Sequence, residues 1–219
     1  MTQQEEPWDK EKAQKYTEMM EKVSKRVYVP FAKKIVDNIE HSNRKLIILD
    51  LSTGPGFLSI ELNKLLPDAR IIGVDPSREM LQIAKRNTEK AGMLDYETKL
   101  GKAEEIPLEP NSIGLVVNLT SLHDWENPRK ALSEILRVLK PNGKLILKDS
   151  NRNCPKWKLI LFHLLVSIMY GREIAKGHSE SYKTAFTLEE VVDLLKEAGF
   201  VDIKGEGNGL DLFIHALKR

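Results

Sequence analysis

Three residues in the first quarter of the chain have the types and spacing of a nucleotide-binding turn. Asp50 ends a short apolar run, and Gly54 and Gly56 follow it within a turn. The next segment, 57–66, carries leucines at helical spacing. A strand, a glycine-bearing turn and a helix bring backbone N–H groups and a helix N-terminus against a ligand. We therefore expect Asp50, Gly54 and Gly56 to line a site for a nucleoside cofactor.

A second acidic residue follows the next predicted strand. Asp75 lies 19 residues after Gly56, a spacing at which a carboxylate accepts hydrogen bonds from ribose hydroxyls in dinucleotide sites. A pyrophosphate also requires a third glycine in the turn, but this chain has Ser59 there. The turn therefore favours an adenosine ligand that carries a small zwitterion instead of a pyrophosphate. The alternative is that Asp50 and Asp75 only cap helices or turns.

The elements around this turn alternate between strands and helices. Such alternation indicates a parallel sheet with helices on both faces. A short glycine-rich turn joins the last two predicted strands, which forces them to be antiparallel. The predicted strands are 46–50, 70–75, 96–100, 113–118, 144–149, 202–205 and 210–217.

Two segments depart from this alternation. Residues 9–40 predict two helices, with Pro30 in the first turn of the second. A helix over 155–170 is apolar nearly all round and must be covered on more than one side. An insertion with so much apolar surface favours a lid or an interface over plain core, and a homodimer is left open.

Composition limits the classes of function. The 219 residues carry a net charge of +2, which does not favour a nucleic acid or an anionic membrane as partner. Cys154 is the only cysteine, the N-terminus is polar and acidic, and the longest apolar run is too short to span a membrane. We expect a cytoplasmic protein with no disulfide. The spacing of Cys154 and His163 suggests no metal site.

Five short motifs occur in order along the chain. They are 50–56 (DLSTGPG), 73–81 (GVDPSREML), 101–107 (GKAEEIP), 122–125 (LHDW) and 136–145 (LRVLKPNGKL). With them, residues 46–219 resemble the class I S-adenosylmethionine-dependent methyltransferases of the small-molecule subgroup. The resemblance implies a Rossmann-like α/β sandwich with a mostly parallel seven-stranded sheet in the order 3-2-1-4-5-7-6, whose last strand is antiparallel. It also implies one domain over 1–219, with a helical cap at 1–43 and an insertion at 151–186 near the acceptor site.

The resemblance also implies which residues hold S-adenosylmethionine and, after reaction, S-adenosylhomocysteine. Asp75 would bind the ribose, Pro76 or Met80 would lie against the adenine, and Tyr16 would close over the methionine carboxylate or simply pack. Residues 103 and 104 would flank the adenine, and residues 118 and 119 would lie near the methyl end. The cofactor residues expected in this way are Tyr16, Asp50, Ser52, Gly54, Gly56, Asp75, Pro76, Met80, Ala103, Glu104, Asn118 and Leu119.

Two positions depart from the family pattern. Family members usually have glycine where this chain has Ser52, so a side chain must fit beside the cofactor or turn away. Many have aspartate where this chain has Lys102, and a lysine cannot accept a hydrogen bond from the adenine amino group. Adenine recognition is therefore expected to rest on backbone groups.

His123 is the candidate catalytic base. A sulfonium is an activated methyl donor, so transfer needs mainly positioning, with a base for an acceptor that carries a proton. Histidine titrates near neutral pH, and His123 follows the fourth predicted strand. The alternative is a loop histidine bonded to backbone. The expected substrate is a small, partly apolar molecule. Two other functions are a noncatalytic binder of the same cofactor and a nicotinamide-dependent oxidoreductase.

Overall fold

The computed structural model describes residues 9–39, 46–93, 95–172 and 182–219. The helices are α1 (Lys10–Asp37), α2 (Phe57–Leu65), α3 (Arg78–Lys90), α4 (Pro128–Val138), α5 (Lys156–Tyr170) and α6 (Leu188–Ala198). The strands are β1 (Ile47–Leu51), β2 (Arg70–Asp75), β3 (Glu97–Leu100), β4 (Ile113–Leu119), β5 (Leu139–Ser150), β6 (Val201–Asn208) and β7 (Asp211–Leu217). They form a seven-stranded sheet in the order β3-β2-β1-β4-β5-β7-β6, which confirms the predicted fold. The chain divides into two compact units, residues 1–102 and 103–219.

The first unit contains three parallel strands and the helices α1, α2 and α3. In the register of β1 with β2, Asp50 lies opposite Gly73, and Asp75 at the end of β2 lies opposite Leu100 on β3. Strands buried on both faces carry apolar residues in succession, as β1 does from Ile47 to Leu49, before Asp50. Their carboxyl ends consequently lie at one edge of this part of the sheet.

Helix α1 is the main departure from the predicted elements. We predicted two helices over 9–40, but α1 is one continuous helix of 28 residues with Pro30 inside it. Proline removes one backbone donor and usually kinks a helix. Here Pro30 is exposed, while Val23 and Phe31 on either side of it are both buried. Burial of this shared face keeps the two halves in one helix.

The second unit combines parallel and antiparallel pairs. Strand β4 is parallel to β5, and β7 is antiparallel to both β5 and β6, as predicted for the end of the chain. Strand β5 begins at Leu139, earlier than the predicted 144, because its first residue pairs with Ile113 before the register shifts. Asn142 has a φ of +63° within this segment.

Helix α5 is not covered in the way the sequence predicted. Its bounds match the predicted 155–170, but only Val166 is buried within it. An all-round apolar pattern indicates contact on several sides, whereas the described residues of this unit contact α5 on one side. No helix among the described residues is long and apolar enough to cross a membrane.

Candidate active site

Asp50 is the centre of a buried hydroxyl network in the first unit. Its Oδ2 accepts hydrogen bonds from Thr53 Oγ1 at 2.8 Å and from Ser59 Oγ at 2.6 Å. Thr53 Oγ1 also lies 2.9 Å from the hydroxyl oxygen of Tyr96 on the segment before β3. Burial raises the pKa of Asp50 to about 6, although the two hydroxyl donors favour its charged form. Asp50 therefore stabilises the turn from inside the unit.

Asp75 connects the glycine turn to the end of β2. Its Oδ2 accepts from the Gly54 backbone N–H at 2.8 Å, and its Oδ1 accepts from the Ser77 N–H at 2.9 Å. Burial raises the pKa of Asp75 to about 6, against the effect of these two hydrogen bonds. Each carboxylate oxygen has a second lone pair, so both can accept another donor. The side chain is thus held in a fixed orientation and keeps capacity for ligand hydroxyls.

The turn between β1 and α2 has three residues in the left-handed region. The φ angles are +58° at Ser52, +52° at Gly54 and +79° at Gly56. A Cβ on Gly56 would lie 3.1 Å from the Cβ of Ala84, whereas a Cβ on Gly54 would meet no atom within 4 Å. Gly56 is therefore needed for close packing of α3. Gly54 borders open space that a ligand can occupy.

Tyr96 was not predicted as part of the site. Gly73 on β2 faces it, and a Cβ on Gly73 would overlap the Tyr96 hydroxyl. Burial raises the pKa of Tyr96 well above its ordinary value, so the phenol stays protonated. No sequence pattern signals this contact, because Tyr96 lies 43 residues from its partner Thr53.

Pro76, Met80 and Tyr16 occupy different environments in the first unit. Pro76 is exposed just after Asp75. Met80 is buried and packs with Ala13 and Ile83, and the half-buried Tyr16 packs against the same cluster. Ser77 caps α3 by accepting from the Met80 N–H at 3.2 Å, which fixes where this helix begins. Of the two residues predicted to lie against the adenine, Pro76 is therefore exposed and Met80 is buried.

Four predicted cofactor residues lie in the second unit. Ala103 is buried, and Glu104 Oε1 accepts from the Asn127 N–H at 3.1 Å. Asn118, fully buried on β4, donates from its Nδ2 to Ser121 Oγ at 2.6 Å, and Leu119 beside it is half-buried. These hydrogen bonds order the loops that follow the motif at 101 and strand β4.

Thr120 places local strain at the end of β4. Its φ is +52°, which is unusual for a β-branched residue. Its N–H donates to the Lys148 carbonyl at 2.7 Å on the neighbouring strand. Strain of this kind costs on the order of 1–3 kcal/mol and persists only where surrounding contacts over-determine it. The backbone leaves β4 here and enters the 3₁₀ turn Leu122–Asp124.

His123 and Asp149 form a buried hydrogen-bonded pair within the second unit. The distance from His123 Nδ1 to Asp149 Oδ1 is 2.7 Å, and the His123 side chain is 5% exposed. Asp149 also accepts from the N–H of Leu122 and from that of Ser150. Since Asp149 accepts at Nδ1, the neutral imidazole keeps its basic lone pair on Nε2. Sequence reasoning missed Asp149, although an acid at the carboxyl end of a strand was an available signal.

The environment of His123 favours its charged form. Burial alone lowers the pKa of His123, but the hydrogen bond to Asp149, its charge and the charge of Asp124 together raise it above the ordinary value. Asp124 Oδ2 lies 3.5 Å from Nε2 and is largely exposed. The pair can therefore accept a proton near neutral pH and hold it.

Comparison with known sequences identifies the family. The family model for a methyltransferase domain matches residues 42–199. The chain belongs to this methyltransferase family. The demethylmenaquinone methyltransferase of Lactococcus lactis subsp. lactis (strain IL1403) is 31% identical over 177 residues, which cover 75% of this chain and 69% of the relative. The enzyme of the same name from Staphylococcus aureus (strain JH9) is 31% identical over 166 residues, covering 71% and 68%.

Solved methyltransferase structures share the fold. An S-adenosylmethionine-dependent methyltransferase of Aquifex aeolicus superposes with a TM-score of 0.71 at 20% identity, covering 97% of this chain and all of that one. A proposed S-adenosyl-L-methionine-dependent methyltransferase of Methanococcus maripaludis gives 0.78 at 23% identity, covering 100% and 97%. The predicted family, fold and enzyme class, an S-adenosylmethionine-dependent methyltransferase, are thereby confirmed. The roles of individual site residues stay predictions.

Within residues 9–39, 46–93, 95–172 and 182–219, no three histidines, cysteines or carboxylates group as metal ligands would. The second unit also has a surface cleft of about 420 Å³ lined by Asn151, Lys158 and Gly209 among others, and no predicted site residue lines it. Gly54 and Asp75 lie in the first unit, and His123 and Asp149 lie in the second.

Proposed function

We propose that the protein transfers the methyl group of S-adenosylmethionine to a small, partly apolar molecule by in-line displacement. A lone pair of the acceptor forms a bond to the methyl carbon, and the carbon–sulfur bond breaks with its electrons returning to sulfur. S-adenosylhomocysteine leaves, and the proton of the acceptor passes to a base. The observation that carries the proposal is Asp75, a buried carboxylate that two backbone amides orient beside the open side of Gly54.

The first unit supplies cofactor contacts in this proposal. Asp75 accepts hydrogen bonds from the two ribose hydroxyls, and the backbone around Ser52 and Gly54 packs on the methionine part. Exposed Pro76 covers one face of the adenine, while Tyr16 approaches the carboxylate. Three other predicted residues hold these contact residues in place. Asp50 does so through its hydroxyl network, Gly56 through the packing of α3, and Met80 through the cluster against which Tyr16 packs.

The second unit supplies further contacts and the base. We assign Ala103 and Glu104 to the adenine, and Asn118 and Leu119 to the methionine end. His123 takes the acceptor's proton on Nε2. Asp149 is its positioning residue, since it accepts a hydrogen bond from Nδ1 and stabilises the imidazolium that forms.

Calorimetry tests the cofactor proposal. The protein is titrated with S-adenosylhomocysteine and, separately, with NAD. We expect saturable binding of the first at one site per chain and none of the second. Binding of NAD instead would favour an oxidoreductase and overturn the proposal.

Turnover separates an enzyme from a binder. The acceptor panel begins with demethylmenaquinone, on which the relatives of L. lactis and S. aureus act according to their names, and continues with other small aromatic molecules that carry an ionisable O–H or N–H. We expect S-adenosylhomocysteine to be produced with at least one acceptor. Binding of the cofactor with no turnover across the panel would favour the noncatalytic alternative.

We propose further that residues 1–219 act as one domain in the cytoplasm, with 1–43 as a cap and 151–186 as an insertion near the acceptor. A single cysteine suits a reducing compartment. One calorimetric unfolding transition would support a single domain. Two separate transitions would contradict it. Sedimentation velocity decides between a monomer and a homodimer.

A further inference from the structure

Helix α5 exposes a continuous apolar face. Seven large apolar side chains on it are 49–73% exposed, and they recur at spacings of three and four residues along the helix. Scattered exposed apolar residues are ordinary on protein surfaces, but a contiguous face of this size marks an interaction site. The residues of this outward face are Trp157, Ile160, Leu161, Leu164, Leu165, Ile168 and Met169.

The opposite side of α5 packs against its own unit. Val166 is buried, and Phe162 and His163 are half-buried. The His163 ring contacts the Tyr182 ring edge-on, with centroids 6.4 Å apart, and the Tyr182 hydroxyl donates to the Leu210 carbonyl at 2.8 Å. These contacts fix the rotation of the helix, so the outward face points to solvent.

The segment that carries this face, residues 150–172, is basic. Between residues 150 and 172 there are four basic residues and no aspartate or glutamate. Arg152 pairs with Glu190, which leaves exposed Lys156 and Lys158 at the start of α5 and Arg172 just beyond its end. Lys158 Nζ lies 5.5 Å from the centre of the Trp157 ring. The local charge is therefore positive, although the whole chain is nearly neutral.

We propose that α5 lies flat on an anionic lipid bilayer, with its outward face among the acyl chains. Basic residues beside an apolar face are typical of helices that bind in the plane of a membrane interface. Trp157 and Tyr170 stand at the two ends, where amphipathic rings suit the headgroup region. The 15 residues of α5 extend about 22 Å, too short for the roughly 30 Å hydrocarbon core. The attachment is therefore peripheral.

A second copy of the chain fits this face less well. A two-fold interface places the same surface of both copies together. It would then bring together Lys156, Lys158 and Arg172 of both copies, and the segment 150–172 itself contains no acid to pair with them. Like charges brought together in this way oppose association. An anionic bilayer instead supplies the missing negative charge.

Vesicle co-sedimentation tests the proposal. The full-length protein is mixed with vesicles of phosphatidylcholine alone or with a quarter of phosphatidylglycerol. We expect at least about tenfold tighter binding to the anionic vesicles, since each basic residue near a charged surface adds several-fold. The difference should shrink at high salt. Replacing both lysines (Lys156→Ala with Lys158→Ala) should remove most of it.

Variants of the outward face locate the contact. Ile160→Glu combined with Ile168→Glu should lower vesicle binding at least about tenfold. Both side chains are at least 68% exposed, so the fold and the affinity for S-adenosylhomocysteine should not change. The matched control is Leu65→Glu on α2, an apolar residue that is 40% exposed and should leave vesicle binding intact.

Three outcomes would overturn the proposal. In the first, the wild type binds neither type of vesicle. In the second, it binds both types equally at low salt. In the third, the variant with Ile160→Glu and Ile168→Glu binds vesicles as tightly as the wild type. A wild-type dimer that the same double variant converts to a monomer, with no vesicle binding, would assign the face to a second copy instead. The proposal does not depend on which acceptor is methylated.

Discussion

Asp75 and Asp149 are buried carboxylates at the carboxyl ends of strands, one in each unit, and they have different partners. Each accepts hydrogen bonds from two backbone N–H groups. Asp149 also binds the His123 imidazole, whereas the partners of Asp75 among the described residues are the amides of Gly54 and Ser77. The same side chain in similar positions thus has different partners. In the proposed mechanism, Asp75 keeps lone pairs for ligand hydroxyls and Asp149 orients the base.

Removing the base gives the largest expected effect. His123→Ala should lower kcat by about 10²–10⁴-fold, the range of general base catalysis, because the acceptor's proton then has no positioned partner. The affinity for S-adenosylhomocysteine should change less than about threefold. Single-turnover kinetics and calorimetry measure the two quantities. Equal losses in both would show that His123 has no catalytic role.

Asp149→Asn tests whether Asp149 acts through the pKa of His123. Asp149 raises the pKa of His123, and His123 must be deprotonated to act, so activity rises with pH through that raised pKa. In Asp149→Asn this ascending limb of the kcat profile should move to lower pH, and kcat should fall at least about tenfold. A merely structural role for Asp149 would lower activity without moving the limb.

Asp75→Ala tests the other half of the comparison. Loss of two charge-assisted hydrogen bonds to the ribose should weaken S-adenosylhomocysteine binding by about 100-fold, since each contributes roughly 1.5 kcal/mol or more. Asp149→Asn is the control and should keep its affinity within about threefold. Calorimetry on both proteins decides the matter. Unchanged affinity in Asp75→Ala would remove Asp75 from the cofactor site.

The raised pKa values of Asp50 and Asp75 predict how unfolding depends on pH. Both carboxyls have a native pKa of about 6, above the unfolded value of 3.8, so the native state binds more protons between these values. Stability should therefore fall as pH rises, by about 1 kcal/mol for each group between pH 5 and 7. Urea unfolding of the ligand-free protein measures this fall. Asp50→Asn should reduce it by about half, and a steeper fall in that variant would contradict the assignment.

Two strained residues give the smallest expected effects. Ser52 and Thr120 each follow a strand with a φ above +50°. Ser52→Gly should raise the free energy of unfolding by a few tenths of a kcal/mol, because relief of strain is partly offset by the flexibility of glycine in the unfolded chain. Thr120→Gly should raise the free energy of unfolding by more, since a β-branched residue is more strained at positive φ. Urea unfolding of both variants and the wild type measures these differences.

Ser52→Gly also tests whether the turn between β1 and α2 binds the cofactor. If the turn is a cofactor cradle, the affinity for S-adenosylhomocysteine should hold or rise. A collapse of binding would show instead that the serine hydroxyl contacts the ligand.

The motifs predicted the strand order and family because they are local and sequential. The pairs Thr53–Tyr96 and His123–Asp149 were missed because their members lie 43 and 26 residues apart and meet only through the pairing of strands. Helix α1 was divided at Pro30 because the preference of proline is local, whereas the burial that overrides it is tertiary. The pattern of α5 gave its length but not which side the protein covers.

The fit between Gly73 and Tyr96 has a consequence for how this sequence can diverge. A Cβ at position 73 would overlap the Tyr96 hydroxyl and approach Thr53 Cγ2 to 2.9 Å, so no larger residue is accepted while Tyr96 is present. A smaller residue must first appear at position 96, and that intermediate loses the phenol beside Thr53 and Ser59. Substitutions at positions 96 and 73 therefore have to occur in that order, through a less stable intermediate. Descendants of this sequence that carry a larger residue at position 73 should also have lost Tyr96.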